Sequence, residues 1–183
     1  MTTQTFAQEI GGGEYVADPI HSSVGFAVRH NGVSVFRGGF GSYAVRLTGG
    51  DSPRLEGTVE VGSVQVDDPQ LRGHLLSPEF FDAERHPRLR FESSELRVAE
   101  DGALVVHGEL EIHGRTHRVE AVGRLAGLGE DISGGRRVGI SLGATVDRRS
   151  FGLDWQAALP SGGEVLGNDV QIEAELELVE EEA

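Results

Sequence analysis

Apolar and polar residues alternate with a period of two through most of this chain. Val170, Ile172, Ala174, Leu176 and Leu178 share one side of an extended segment, with Gln171, Glu173, Glu175 and Glu177 on the other. Val138, Ile140, Leu142, Ala144 and Val146 repeat the pattern against Gly139, Ser141, Gly143 and Thr145. Leu104, Val106, Leu110 and Ile112 form a third row, and Val24, Phe26 and Val28 a fourth. Strands that are apolar on one side only predict an antiparallel sheet wrapped around a core. Between Phe36 and Leu47 the phase slips, because Phe36 and Phe40 are even and Val45 and Leu47 odd. A bulge near Gly41-Ser42 accounts for the slip.

Turn signals separate the strands. Gly49-Gly50-Asp51-Ser52-Pro53 divides Phe36–Leu47 from Leu55–Val61, and Glu100-Asp101-Gly102 divides Leu89–Ala99 from Ala103–His113. His113-Gly114-Arg115-Thr116 leads into a strand beginning near His117. One stretch breaks the alternation: Asp67-Asp68-Pro69 predicts the cap and first position of a short helix carrying Leu71, Leu75 and Leu76, stopped by Ser77-Pro78. About eight or nine strands and this helix predict a closed or nearly closed barrel, which leaves no exposed sheet edge. Residues 14–179 are expected to form one domain, after a flexible segment 1–13 and before an acidic tail 180–183.

Composition narrows the partners. The net charge of −14 argues against nucleic acid and anionic membrane surfaces, which call for basic patches. The 27 glycines lack a Gly-X-Y period and fit turns and bulges. With no cysteine, neither disulfides nor thiolate metal sites can form. No apolar run is long enough to span a membrane, and the first residues lack a basic, apolar leader, so a cytoplasmic location is expected. Homodimerisation stays open.

Candidate chemistry is thin. His113 and His117 bracket a tight turn with His107 on the parity of His113; the three read as solvated turn histidines, and no metal site or cofactor is expected. Gly139-Ile140-Ser141-Leu142-Gly143 spells a nucleophile-elbow pattern, but in mid-strand, where no strand-to-helix turn can present the serine. His30 has the inward parity of Val24, Phe26 and Val28 and ends its strand where a barrel opens. It reads either as a half-buried histidine bonded to backbone or as a polar group meeting a ligand head. Pattern alone does not choose between a filled barrel and a hollow one, because core and apolar pocket use the same residues.

Five separated motifs are more specific. His21-Ser22-Ser23-Val24-Gly25-Phe26-Ala27-Val28-Arg29-His30 is followed by Leu75-Leu76-Ser77-Pro78-Glu79-Phe80-Phe81-Asp82, which runs into His86-Pro87 and Phe91. Then come Gly108-Glu109-Leu110 through Ile112-His113-Gly114, next Asp147-Arg148-Arg149-Ser150-Phe151-Gly152-Leu153, and a closing strand from Val170 to Leu178. In order and spacing the chain, from about Tyr15 to Val179, resembles the YceI-like family of polyisoprenoid-binding, lipocalin-like barrels. The resemblance implies an all-β, lipocalin-like antiparallel β-barrel with an elongated apolar tunnel for a long isoprenoid or fatty-acyl ligand, bound without chemistry. Val24, Phe26, Val28, Phe36, Phe40, Leu75, Phe80, Phe81, Phe91, Leu142, Phe151 and Trp155 are the expected ligand-binding residues, with His21, Ser22 and His30 toward the head. Family members often carry an export signal, and this chain departs from them there. The competing expectations are an enzyme on the same barrel, with His30 or His86 as acid or base, and a small module with a filled core.

Overall fold

The computed structural model describes residues 10–181. Its strands are β1 (Glu14–Ala17), β2 (Ser23–His30), β3 (Ser34–Phe40), β4 (Tyr43–Thr48), β5 (Arg54–Glu60), β6 (Val64–Gln65), β7 (Arg88–Val98), β8 (Ala103–Ile112), β9 (Arg115–Glu130), β10 (Arg136–Asp147) and β11 (Leu166–Glu180), with an α-helix, α1 (Pro69–Leu76), between β6 and β7 and single 3-10 turns at Val61–Ser63 and Arg148–Phe151. Each strand runs antiparallel to its neighbour. The pairs β1/β2, β3/β4 and β5/β6 are successive pieces of three interrupted staves, so the eleven pieces build eight staves. The last stave pairs with the first along both its pieces: Tyr15 opposes Glu180, and Phe26 opposes Ile172. That pairing closes the barrel.

Local chemistry explains the interruptions. The slip between β3 and β4 falls at Gly41-Ser42, where both backbone amides turn to Ser63, to its carbonyl and its hydroxyl, each at 3.0 Å. Asp68 caps α1 by accepting from the Leu71 amide at 2.7 Å, with Pro69 in the first turn, and Ser77 ends it. His113 and Gly114, at φ 54° and 71°, make a two-residue turn with positive φ at both positions, so β9 begins at Arg115, a little before the expected start.

One end of the barrel is packed solid. Ile10, Tyr15, Leu47, Leu104 and Leu178 are among the most completely buried side chains. Tyr15 Oη donates to the Ile10 carbonyl at 3.1 Å, and Arg136 donates to the same oxygen at 2.9 Å. Each such large apolar side chain contributes about 2 kcal/mol through burial. Residues 1–9 of the segment expected to be flexible lie outside the described residues. Residues 10–13 are no loose tail: Ile10 plugs this end, and Gly11 and Gly13 carbonyls accept from Gly50 and Gly49. The expected acidic tail likewise begins in structure, since Glu180 closes β11 and the Glu181 amide donates to the Glu14 carbonyl.

The break between β1 and β2 is held by a charged splice on the outside wall. Arg137 donates to Asp18 at 2.9 Å, Glu177 at 2.7 Å and Asp131 at 3.1 Å. His21 Nδ1 lies 2.9 Å from the Asp18 carboxylate. The Ser22 hydroxyl takes the place of a missing backbone partner, accepting from the Glu177 amide at 3.0 Å. His21 and then Arg137 hold the Asp18 carboxyl far below the usual carboxylate range, and Asp18 in turn raises His21. The amides of Gly135 and Ser133, then Arg137, lower Asp131.

These shifts set a pH dependence of stability. A lowered carboxyl stabilises the fold above its unfolded pKa of about 3.9, and that contribution is lost as pH falls through the folded value. A raised histidine stabilises below its unfolded pKa of about 6.5, and that contribution is lost as pH climbs through its folded value. Melting temperatures measured from pH 3 to 9 are therefore expected to decline on both sides of a plateau between about pH 4 and 6.5. Asp18→Asn should remove the alkaline decline and weaken the acid one. Superimposable profiles for the two proteins would show that the splice does not couple folding to protons.

Candidate functional site

Above the packed end the barrel is hollow. The cause lies in side-chain size: Gly57, Ala121, Ala144 and Ala174 occupy inward positions on four different staves, and side chains this short cannot meet across the axis. The result is a cavity of about 580 Å³. Inward residues that would be sealed in a filled core, among them Val24, Phe26, Leu89 and Ile172, remain only partly buried because they face this space. Two further inward glycines seat aromatic rings. A Cβ on Gly38 would lie 2.5 Å from the Phe26 ring, and one on Gly108 would lie 2.6 Å from the Phe91 ring.

The expected site residues divide cleanly. Val24, Phe26, Val28, His30, Phe36, Phe40, Leu75, Phe80, Phe81, Phe91, Leu142, Phe151 and Trp155 all line the cavity. His21 and Ser22 do not; they belong to the splice between β1 and β2. Leu71, Leu89, Ile172 and Leu166 also line the space, although sequence reasoning did not single them out as site residues. For Ile172 the signal was its place in the alternating row of β11, which marks an inward position but not whether that position meets a neighbour or a void.

The wall beside α1 is aromatic. Phe26 sits 5.8 Å from Phe40 and 6.5 Å from Phe81, centroid to centroid. Trp155 stands 5.4 Å from Phe80 and 5.1 Å from the His74 ring, which it meets edge-on. His74 Nε2 is within 2.8 Å of the Glu79 carboxylate, so this histidine is committed to the wall. His30 and Ser34 line the cavity at the tip of the β2–β3 hairpin and are exposed, which marks the mouth.

Arg148 organises the loop that carries Trp155. It is 4 % exposed and forms no hydrogen bond to a carboxylate among the described residues. Its donors go instead to the carbonyls of Leu153 (2.5 Å), Trp155 (2.8 Å), Leu166 (3.4 Å) and Gly167 (2.8 Å), and to Asn168 Oδ1 (3.1 Å). Burial lowers its pKa from the ordinary arginine value, yet a guanidinium stays charged in proteins. One buried cation thus satisfies carbonyls from both ends of a loop that has no regular ladder of its own. Nothing in the spacing of Asp147-Arg148-Arg149 distinguished this inward arginine from its neighbour, whose side chain pairs with Asp147 at 2.7 Å.

The remaining candidates take structural places. Ser141 lies in mid-strand on β10 opposite Glu175. His107 bonds Glu120 at 3.0 Å across β8 and β9. His113 and His117, expected as solvated turn residues, face the carbonyls of Phe151 at 3.2 Å and Ser150 at 2.9 Å.

Comparison with known proteins agrees with this architecture. A UPF0312 protein of Staphylococcus epidermidis is 29% identical over 165 residues, covering 87% of this chain and 94% of the relative. A UPF0312 protein of Staphylococcus aureus is 29% identical over 168 residues, covering 89% and 95%. Among solved structures, BcnA of Burkholderia cenocepacia superposes with a TM-score of 0.71 at 19% identity, covering 90% of this chain and 99% of that one. A polyisoprenoid binding domain from Saccharophagus degradans, implicated in plant cell wall breakdown, superposes with a TM-score of 0.67 at 11% identity, covering 93% and 99%. At those identities the structures speak for the fold. The YceI-like domain matches residues 15–178, from within the first strand of the barrel to within the last, and the chain belongs to the YceI-like family.

Proposed function

We propose that this protein binds one long, flexible apolar chain of isoprenoid or fatty-acyl type inside its barrel, and carries or sequesters it without chemistry. The observation that carries this reading is the hollow of about 580 Å³ walled by aliphatic and aromatic side chains. A cavity of that size lies within the range of small-molecule sites, and apolar walls offer water too few partners to hold it. The name of the Saccharophagus degradans domain, which has the same fold, points to the same ligand class. His30 and Ser34 at the mouth meet the polar head, while Phe26, Phe81 and Phe91 enclose the tail. His74, bonded to Glu79 and packed between Phe80 and Trp155, serves the wall and not proton transfer.

Volume sets the length of the preferred chain. If a methylene occupies about the liquid volume of a water, roughly 30 Å³, the cavity holds on the order of twenty carbons. At about 0.3 kcal/mol per heavy atom, such a chain gains roughly 6 kcal/mol, a Kd in the tens of micromolar. Calorimetric titration with prenyl alcohols of increasing length is expected to show affinity climbing to about that length and then levelling off. Ala144→Leu, which fills part of the hollow, should move the plateau to shorter chains while leaving the fold intact. A flat response to length in both proteins counts against an apolar tunnel.

The single tryptophan reports on occupancy. Trp155 is half-buried and lines the cavity from the loop held by Arg148. Lipid entering the cavity should pack against the half-buried indole, lower its exposure to solvent and shift its emission to the blue. Trp155→Phe should still bind lipid without the signal. Unchanged emission at verified saturation would place the ligand away from this wall.

A further inference from the structure

Outside the cavity, the structure brings together three side chains that lie far apart in the sequence. Asp82 follows α1, His86 comes one short turn later, and His113 sits on the β8–β9 turn. One potential ligand atom from each lies within 4.8 Å of the other two. From this geometry we propose that Asp82, His86 and His113 form a binding site for a late first-row divalent cation, with zinc as the representative probe.

Four features of the site support a cation. Asp82 is 8 % exposed, yet its carboxylate receives no hydrogen bond among the described residues, and its nearest cation is the exposed Arg85, at 3.9 Å. That distant pair with an exposed arginine counters the carboxylate's charge only weakly, which leaves it available to a cation. The His86 ring also lacks a hydrogen-bond partner among the described residues and stands 4.8 Å from the His113 ring. His113 Nδ1 faces the Phe151 carbonyl at 3.2 Å. A proton on that nitrogen leaves Nε2 free as a ligand, the arrangement in which a backbone carbonyl orients a metal-binding histidine. Finally, Asp82 adopts a left-handed backbone conformation, at φ 49°, outside any two-residue hairpin turn. Gly114 completes the cradle: a Cβ there would stand 2.7 Å from the His86 ring.

One carboxylate and two imidazoles suit zinc, with a fourth position left for water. Ligand atoms around a tetrahedral zinc lie about 3.3 Å apart, so the three must close by up to about 1.5 Å, a matter of side-chain torsion. The other mixed cluster, Asp18, His21 and Glu177, is already neutralised by Arg137 and offers no such vacancy of charge. A bound cation would staple the 82–86 segment to the β8–β9 turn and hold the neighbouring Phe81 against the cavity.

The test uses the full chain, stripped with chelator and titrated with zinc chloride by calorimetry and equilibrium dialysis. One zinc per chain is expected. At a hundredfold excess over Kd, melting should rise by about 5–10 °C. Asp82→Asn and His113→Asn, both tolerant of left-handed backbone, and His86→Gln should each weaken binding at least tenfold and lose the thermal shift, whereas His117→Gln should change neither. Imidazole NMR signals of wild-type His86 and His113 should move on zinc addition, a readout that survives if a variant misfolds. Absence of saturable binding, or zinc-induced shifts confined to His21 or His107, overturns the proposal.

Discussion

Closure of the barrel is the constraint on which the rest depends. β11 is long enough to pair with β10 along one edge and with both β1 and β2 along the other, so no stave is left with an open row of backbone donors and acceptors. A ring of eight staves has an inside wide enough for side chains or for one ligand, but not both throughout. The interruptions between β1 and β2 and between β3 and β4 are local adjustments to that ring, each repaired by side chains where the ladder fails.

The molecule resolves the competition between filling and holding by dividing its length. Large residues at the closed end, with Ile10 and Tyr15 as the plug, supply the burial that stabilises a compact state. Toward the mouth, the alanines and glycines at inward positions withdraw the contacts a packed core would make, and aromatic residues on the walls face the space instead. Stability and the capacity for a ligand therefore reside in different layers of one barrel. α1 and the loop before β11 cover the hollow, packed on it through a second apolar cluster in which Leu75 and Phe80 meet Phe40 and Val64, and tied down by hydrogen bonds from Arg72 and Arg148 to backbone carbonyls.

Polar groups follow the same economy. Arg148 is buried to hold carbonyls, and Arg137 sits at the wall to hold carboxylates. The two arginines differ in partners because one faces a loop lacking a ladder and the other faces acidic strand ends. The Asp82–His86–His113 group stands apart, with a largely buried acid and a His86 ring that has no hydrogen-bond partner among the described residues.

Alternation, together with capping at Asp68, determined the all-β class, most of the longer strands, the helix and the slip at Gly41-Ser42, because these are properties of neighbouring residues; β1 and β6 were not anticipated. Alternation also placed Phe26 on inward parity with Val24 and Val28, and these reach the cavity, whereas Phe36, Phe40 and Phe91 were expected there from the family resemblance. The Asn31-Gly32 turn, with φ of 53° and 69°, was equally legible as a hairpin signal, although it was not among the turns anticipated. What only the tertiary structure decided are matters of height and distance in the ring. Whether Ala144 and Ala174 face each other's neighbours or a void depends on strand stagger, which parity does not encode. His21 and Ser22 share a motif with the cavity wall, yet the break after β1 turns them to the splice. His113 stands four residues from His117 but meets His86 and Asp82 in space. Sequence spacing records which residues are adjacent along a strand, and the register of a closed sheet decides which residues meet across it.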